Sequence, residues 1–451
     1  MKQLAYRAIM VLCFVALLGG GTILFCTRYV TDGADWASSK VNSGVYENGK
    51  LRRGAVYDAN GEVLYDAGEG SYAGSKAVRK ATLHLVGDKA GNIASSATKG
   101  MADRLVGFSP FTGTSFGGRD LWLTVDAQLC AAAYEALGGQ KGAVAVYNYE
   151  TGELLCSVSA PAFDPKNPPE SVEGDKYEGV YINRVFAGLY TPGSIFKLVT
   201  TAAALEKIKD LESRSFHCSA RTTVGGEEIT CPYAHGDMDF AAALAKSCNG
   251  VFATLAAELG GETLQEYFSA AGLADGMDVS GIKTAAGSFA VADNKGDLGW
   301  SGVGQYKDMV NPAAMLQLMG GIANGGSAAV PRLIAKETTE SGRTVSAGKT
   351  EFTKLWKEET CEKLATLMRN NVAEVYGQEK FGDLAVCAKS GTAEVGEGKR
   401  PHAWFVGFVD DVELPIAFAV IVENGGSGAN VAGGVAAKVL AAAAETFKTA
   451  E

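Results

Sequence analysis

Lys197 follows Ser194 by three residues in the stretch YTPGSIFKLVTTAAALE, and that spacing can activate a nucleophile. Residues three apart share one face of a helical turn. A serine hydroxyl is a weak nucleophile until a nearby base takes its proton. A lysine serves as that base when burial or neighbouring positive charge keeps it neutral. The alternative is a lysine at a helix rim whose ammonium snorkels to water. From Leu198 onward the segment is small and apolar, so the helix is bound for a core, where an ionised lysine is costly. Pro192 and Gly193 break the preceding chain and predict a helix that begins at Ser194. A helix start also presents backbone N–H groups to a developing oxyanion.

Two later segments carry matching chemistry. Ser247-Cys248-Asn249 sets a hydroxyl and a carboxamide two residues apart, at a break between helical runs where both can face a cleft. Ser247 would lie on the lysine's proton path, Asn249 would bind a substrate amide, and Cys248 would pack inward. Lys389-Ser390-Gly391-Thr392 follows a strand. There Gly391 leaves room for an extended substrate along the strand edge, and Ser390 and Thr392 supply hydroxyls. Thr392 adds a backbone N–H, and Lys389 holds a carboxylate.

The elements that must position these groups read as mixed. LTVDAQL starts extended and becomes helical after Asp126, a predicted N-cap. KGAVAVYNYETGELLCSVSAPAF gives strand, turn at Glu150-Thr151-Gly152, strand. Residues from about 195 to 335 are helical, with glycine-rich connections. LAVCAKSGT, HAWFVGFVD and LPIAFAVIVEN then read as three strands, and Ala432 to Phe447 as a closing helix. Strands at both ends with helices between predict an antiparallel sheet that joins the two ends of the sequence. The fold class is α+β (mixed α/β), not a doubly wound nucleotide fold. Before this region, LRRGAVYDANGEVLYD reads as two short strands around Ala59-Asn60-Gly61.

Composition bounds the function. The 451 residues carry a net charge of −10, and no basic patch with interleaved aromatics occurs, so nucleic acid is not an expected partner. The four histidines, His84, His217, His235 and His402, show no HExxH spacing, and neither a metal nor another cofactor is expected. Ala8 to Thr27 is free of charge and about the length needed to cross a bilayer. Lys2 and Arg7 before it favour a cytoplasmic N-terminus, with a cleaved signal peptide as the competing reading. The expected location is the cell membrane, single-pass, with the rest outside. Of nine cysteines, Cys218 and Cys231 bracket a polar loop and could bridge in an extracytoplasmic compartment.

SxxK, SxN and KSG, in this order, resemble the signatures of penicillin-binding proteins and serine β-lactamases. The flanks narrow the resemblance to the monofunctional class B penicillin-binding proteins. They include RRGAVYDANGEVL, NRVFAGLYTPGSIFK, GVGQYKDMVNPAAMLQLMGGIANGG and HAWFVGFV. It covers about residues 50 to 447. It implies a transpeptidase-like catalytic domain with a central antiparallel sheet and a helical lobe. It also implies an anchor over 1–30, a small membrane-proximal module over 31–118 and a catalytic domain over 119–451. On the same analogy Ser194 is the acylated nucleophile and Lys197 the general base, with Ser247 assisting. Asn249, Lys389, Ser390, Gly391 and Thr392 bind substrate, and the N–H groups of Ser194 and Thr392 form the oxyanion hole. The implied partners are peptidoglycan stem peptides, β-lactams as inhibitors, and a glycosyltransferase or other membrane proteins of cell-wall synthesis.

The alternatives are a D,D-carboxypeptidase or serine β-lactamase, a β-lactam sensor, and a noncatalytic scaffold. Absence of an ExxxN-like motif, a single apolar span, and retention of Ser194, Lys197 and Asn249 count against them in turn. Asn183 and Arg184 read as a structural hydrogen-bonded pair, Trp404 as core, and His235 as part of a turn or helix start.

Overall fold

The computed structural model describes residues 2–37, 46–47, 50–51, 54–109, 114–115, 118–396 and 398–448. In it the Val- and Ala-rich runs from both ends of the catalytic region meet in one sheet. The strand order is Leu154–Ala160, Gly142–Asn148, Ile416–Val422, His402–Val409, Val386–Ala393, and every pairing is antiparallel. Every residue from Ile416 to Val422 is buried, which requires cover on both faces. Helices Pro312–Ala323 and Gly433–Lys448 pack against this strand, and helix Ala127–Ala136 packs against Gly433–Lys448 and the strand Leu154–Ala160. Each such Val, Ile or Phe contributes about 1.5–3 kcal/mol on burial. Asp126 caps helix Ala127–Ala136 by accepting a hydrogen bond from the Leu129 amide, as its position in the sequence predicts.

Between the two halves of the sheet lies the helical insertion. Helices Lys197–Lys207, Phe240–Ala245 and Asn249–Leu259 share a separate apolar core that includes Leu211, Ile229, Leu244 and Phe252. The nucleophile helix begins at Lys197, not at Ser194; Gly193–Phe196 forms a 3-10 turn ahead of it. That tight turn follows from packing, because Gly193 N–H donates to the Gly304 carbonyl at 2.9 Å and Thr392 presses from the other side.

A second sheet runs in the order Thr344–Ala347, Ile334–Thr339, Arg119–Leu123, Ala55–Tyr57, Val63–Asp66, Ser71–Tyr72. The expected hairpin is present at Ala55–Tyr57 and Val63–Asp66, where Asp58 Oδ1 accepts from the Asn60 and Glu62 amides. Its first strand pairs in parallel with Arg119–Leu123, Val56 opposite Leu121. Chain on both sides of residue 118 therefore shares one sheet. Arg52 and Arg53 of the membrane-proximal signature lie outside the described residues.

Helix Lys2–Ala37 contains an apolar run, Ala5–Tyr29, long enough to cross a membrane.

Asp308 gives a stability test. It is completely buried, accepts a hydrogen bond from the Ala290 amide at 3.3 Å, and burial pushes its carboxyl up to about 7. Between its ordinary value and about 7 the folded chain holds a proton that the unfolded chain has lost, so stability falls as pH rises through that window. Asp308→Asn removes the penalty. Thermal unfolding should show the variant more stable than the parent at pH 8, by on the order of a few kcal/mol, with the difference vanishing near pH 4.

Candidate active site

Ser194, Lys197, Ser247, Asn249 and Lys389 span nearly 200 residues of sequence, yet the two cores bring them into one cluster. Lys197 Nζ lies 3.1 Å from Ser194 Oγ, 3.1 Å from Ser247 Oγ, 2.7 Å from the Ser247 carbonyl and 2.7 Å from Asn249 Oδ1. Its side chain is fully buried. Burial, and then the charge of Lys389, hold its amine well below the usual lysine range.

The partners match a neutral amine. The Ser247 carbonyl and Asn249 Oδ1 only accept, so they take the two N–H bonds of an NH₂ group. Asn249 is fixed in this sense because its Nδ2 donates to the Thr230 carbonyl at 2.8 Å. The lone pair is then left for the Ser194 hydroxyl proton. Ser247 reaches the amine with both carbonyl and hydroxyl from a left-handed backbone conformation, φ +55°. For a non-glycine residue that conformation is strained, and such strain gathers at functional sites.

Lys389 stands behind this pair. Its Nζ lies 3.1 Å from Ser247 Oγ and 2.8 Å from the Ser390 carbonyl. It is fully buried, and burial lowers its amine to about 7. Its place in the third motif predicts a direct carboxylate ligand; in this structure its amine faces Ser247 from within. The hydroxyls nearer solvent are those of Ser390, half-buried, and Thr392, exposed. Asn249, expected to meet a substrate amide, has its carboxamide engaged by Lys197 and Thr230.

The third-motif strand lies hard against the nucleophile turn. A Cβ on Gly391 would come within 3.0 Å of the Pro192 carbonyl, and one on Gly193 within 2.5 Å of the Thr392 carbonyl. Gly193 also holds φ +55°. Gly193→Ala should therefore push strand and turn apart and slow acylation of Ser194 by about 10²-fold, the size expected of a displacement near 1 Å. Stopped-flow acylation beside a thermal melt would separate this loss from unfolding.

Sequence reasoning missed several supports. Tyr376 Oη lies 3.0 Å from both the amide and the hydroxyl of Ser390, with no motif to announce it. Gln305, inside the GVGQY stretch, donates Nε2–H to the Thr392 carbonyl at 3.1 Å. Trp404 is buried core, as expected; Asn183 and Arg184 are structural but bond to separate partners, Asn183 to the His84 and Ser95 carbonyls and Arg184 to Glu423. His235, by contrast, belongs to the wall of the cleft. That cleft, of about 400 Å³, is lined among others by Ser194, Asn249, Thr392, Trp300, Cys231 and His235. The Cys218–Cys231 bridge is not formed. Cys218 Sγ instead meets His235 Nδ1 at 3.3 Å, and Cys231 Sγ lies 3.8 Å from Cys248 Sγ.

Residues 142–445 match the family model for the penicillin binding protein transpeptidase domain. The chain is 29% identical over 355 residues to peptidoglycan D,D-transpeptidase PbpA of Mycolicibacterium smegmatis, covering 72% of each chain. The penicillin G acyl-enzyme complex of penicillin-binding protein A from Mycobacterium tuberculosis superposes with a TM-score of 0.76 at 23% identity, over 87% of this chain and 99% of that one. A complex of penicillin-binding protein PBP2 with MreC from Helicobacter pylori matches with a TM-score of 0.62 at 21% identity, over 72% of this chain and 64% of that chain. A family model that spans most of the chain, together with the cluster around Lys197, places the protein among the class B penicillin-binding proteins, in the transpeptidase family.

Proposed function

We propose that this chain is a serine D,D-transpeptidase that crosslinks peptidoglycan stem peptides and is acylated by β-lactams at Ser194. The observation that carries the reading is the buried Lys197 amine between Ser194 Oγ and Ser247 Oγ. Ser194 Oγ attacks the carbonyl of the scissile D,D peptide bond while its proton passes to Lys197. The N–H groups of Ser194 and Thr392 receive the oxyanion. Collapse breaks the C–N bond. The proton returns through the Ser247 hydroxyl to the leaving amine, which departs with the terminal residue. An acceptor amine then attacks the ester, loses a proton along the same path and regenerates the Ser194 hydroxyl. With a β-lactam the broken bond lies in the ring, so the amine stays attached and the ester persists.

Ser390 and Thr392 hydroxyls bind the substrate's terminal carboxylate, Lys389 supplies positive charge behind them, and Gly391 lets the strand lie close against the nucleophile turn. The helix from Ala5 to Tyr29 anchors the chain in the cell membrane with the remainder outside, as a module over 31–118 and a catalytic domain over 119–451. Its membrane partner is a glycosyltransferase or another component of cell-wall synthesis. Two observations support this: the membrane-length helix, and a related protein's complex with MreC.

The test is intact mass after exposure to a β-lactam, then incubation with peptidoglycan strands with and without an acceptor amine. A stable adduct on Ser194, and amide product that requires the acceptor, is the expected result. Release of acid alone would make the chain a carboxypeptidase or lactamase, and no adduct would remove the acyl-enzyme reading.

A further inference from the structure

The helical lobe carries a second cluster that the serine chemistry does not use. Cys218 ends the strand Phe216–Cys218, Cys231 follows the strand Glu227–Thr230, His235 precedes the strand Gly236–Met238, and Cys248 stands before helix Asn249–Leu259. The pairing of Cys218 with Gly236 and the hairpin Arg221–Val224 with Glu227–Thr230 turn these four residues toward one point. Their three sulfurs and one ring nitrogen all lie within 4.8 Å of one another. Cys218, Cys248 and His235 are buried, and Cys231 is half-buried at the cleft wall.

We propose that Cys218, Cys231, His235 and Cys248 form a tetrahedral Cys₃His zinc site that fixes the SxN turn of the active site. Zinc–sulfur bonds of ~2.3 Å and a zinc–nitrogen bond of ~2.0 Å give tetrahedral edges of about 3.8 Å between sulfurs and about 3.5 Å from sulfur to nitrogen. The observed separations are 3.8 Å for Cys231 to Cys248 and 3.3 Å for Cys218 to His235. A disulfide between any two of the three sulfurs would have to close to about 2.05 Å and would strand the third thiol and the imidazole. Thiolate-rich sites with one imidazole suit zinc over magnesium or calcium, which take oxygen ligands. Binding converts three thiols to thiolates and releases three protons, leaving a site of charge −1.

The position explains why a metal would serve here. Cys248 lies between Ser247 and Asn249, both of which hold the Lys197 amine. Thr230, next to Cys231, accepts the Asn249 carboxamide N–H. A metal joining Cys231 to Cys248 therefore closes a ring around that hydrogen bond and stabilises the left-handed turn at Ser247. The scarcity of histidine argued against a histidine-rich metal site; it has no bearing on one built from cysteine.

The experiment uses the full chain in detergent, and its main readout is independent of acylation. Elemental analysis should find one zinc per chain, and cobalt substitution should give visible d–d bands with thiolate charge-transfer bands in the near ultraviolet. Cys218→Ser should lose the metal, while His235→Cys, which supplies a fourth thiolate, should retain it. If Cys218→Ser fails to fold, the cobalt spectrum of the parent and the His235→Cys result still decide. Three free thiols that take up neither zinc nor cobalt would overturn the proposal, as would a disulfide among them in non-reducing peptide mass spectra. Removal of the metal should also slow Ser194 acylation by at least about tenfold, through loss of order in the SxN turn.

Discussion

Lys197→Ala is expected to yield a folded protein whose Ser194 is acylated by a β-lactam about 10²–10⁴-fold more slowly than the parent, the span assigned to loss of a positioned general base. The fold should survive because the apolar clusters that hold its helix are built from other residues, among them Leu198, Val199 and Ala204. Its loss nevertheless leaves the Ser247 carbonyl and Asn249 Oδ1 without their donor, so a stability cost of about 1–3 kcal/mol accompanies it. Lys197→Met supplies no donor either but fills most of the volume, so it separates the cavity left by alanine from the loss of the base. Lys197→Arg should fail as severely as alanine. A guanidinium remains protonated, cannot take the serine proton, and needs more room than a fully buried amine leaves. The measurement is the second-order acylation rate of the three variants, each checked by thermal unfolding. A folded arginine variant that acylates near the parental rate would show that Lys197 is not the base.

The sequence exposed the chemistry of this site better than its supports. A lysine inside an apolar run already signals a group whose charge is under pressure, and Ser194, Ser247 and Lys389 announce themselves by spacing. The central sheet was legible because its strands are continuous apolar runs, which only a sheet covered on both faces needs. Three features were hidden because they depend on contacts between distant segments. The 3-10 turn at Ser194 is set by Gly304 and Thr392, far along the chain. The burial of Lys389 depends on what packs around its strand, and its sequence context suggested an accessible charge. The meeting of Cys218, Cys231, His235 and Cys248 depends on two small hairpins whose polar residues give little periodicity. A pair of cysteines around a polar loop reads as a bridge from spacing alone; the third thiol and the imidazole enter only through the fold.

Lys389 supplies the sharpest test of the electrostatics. Its charge is the second cause, after burial, of the depressed Lys197 amine. Lys389→Met should therefore raise the Lys197 value and move the acidic limb of the acylation pH profile toward higher pH, since that limb reports the base in the free enzyme. Part of the rate loss would then be recovered in alkaline buffer, whereas loss of carboxylate binding would lower the rate at every pH. Stability supplies an independent sign. The Lys389 amine is lowered from 10.5 to about 7 on folding, so between those values the unfolded chain binds the proton that the folded chain has shed. Parental stability thus rises with pH across that window, and below pH 7 the full penalty of a buried charge is present. Lys389→Met lacks the penalty. Its melting temperature should gain on the parent at pH 6, and the gain should shrink between pH 7 and 10.5. Lys389→Arg should not stand in for the parent, because a fully buried guanidinium keeps its charge at every pH in that range. An acylation limb that stays in place in Lys389→Met, with a stability difference flat from pH 6 to 10, would mean that Lys389 carries no depressed titration and does not act on Lys197 through its charge.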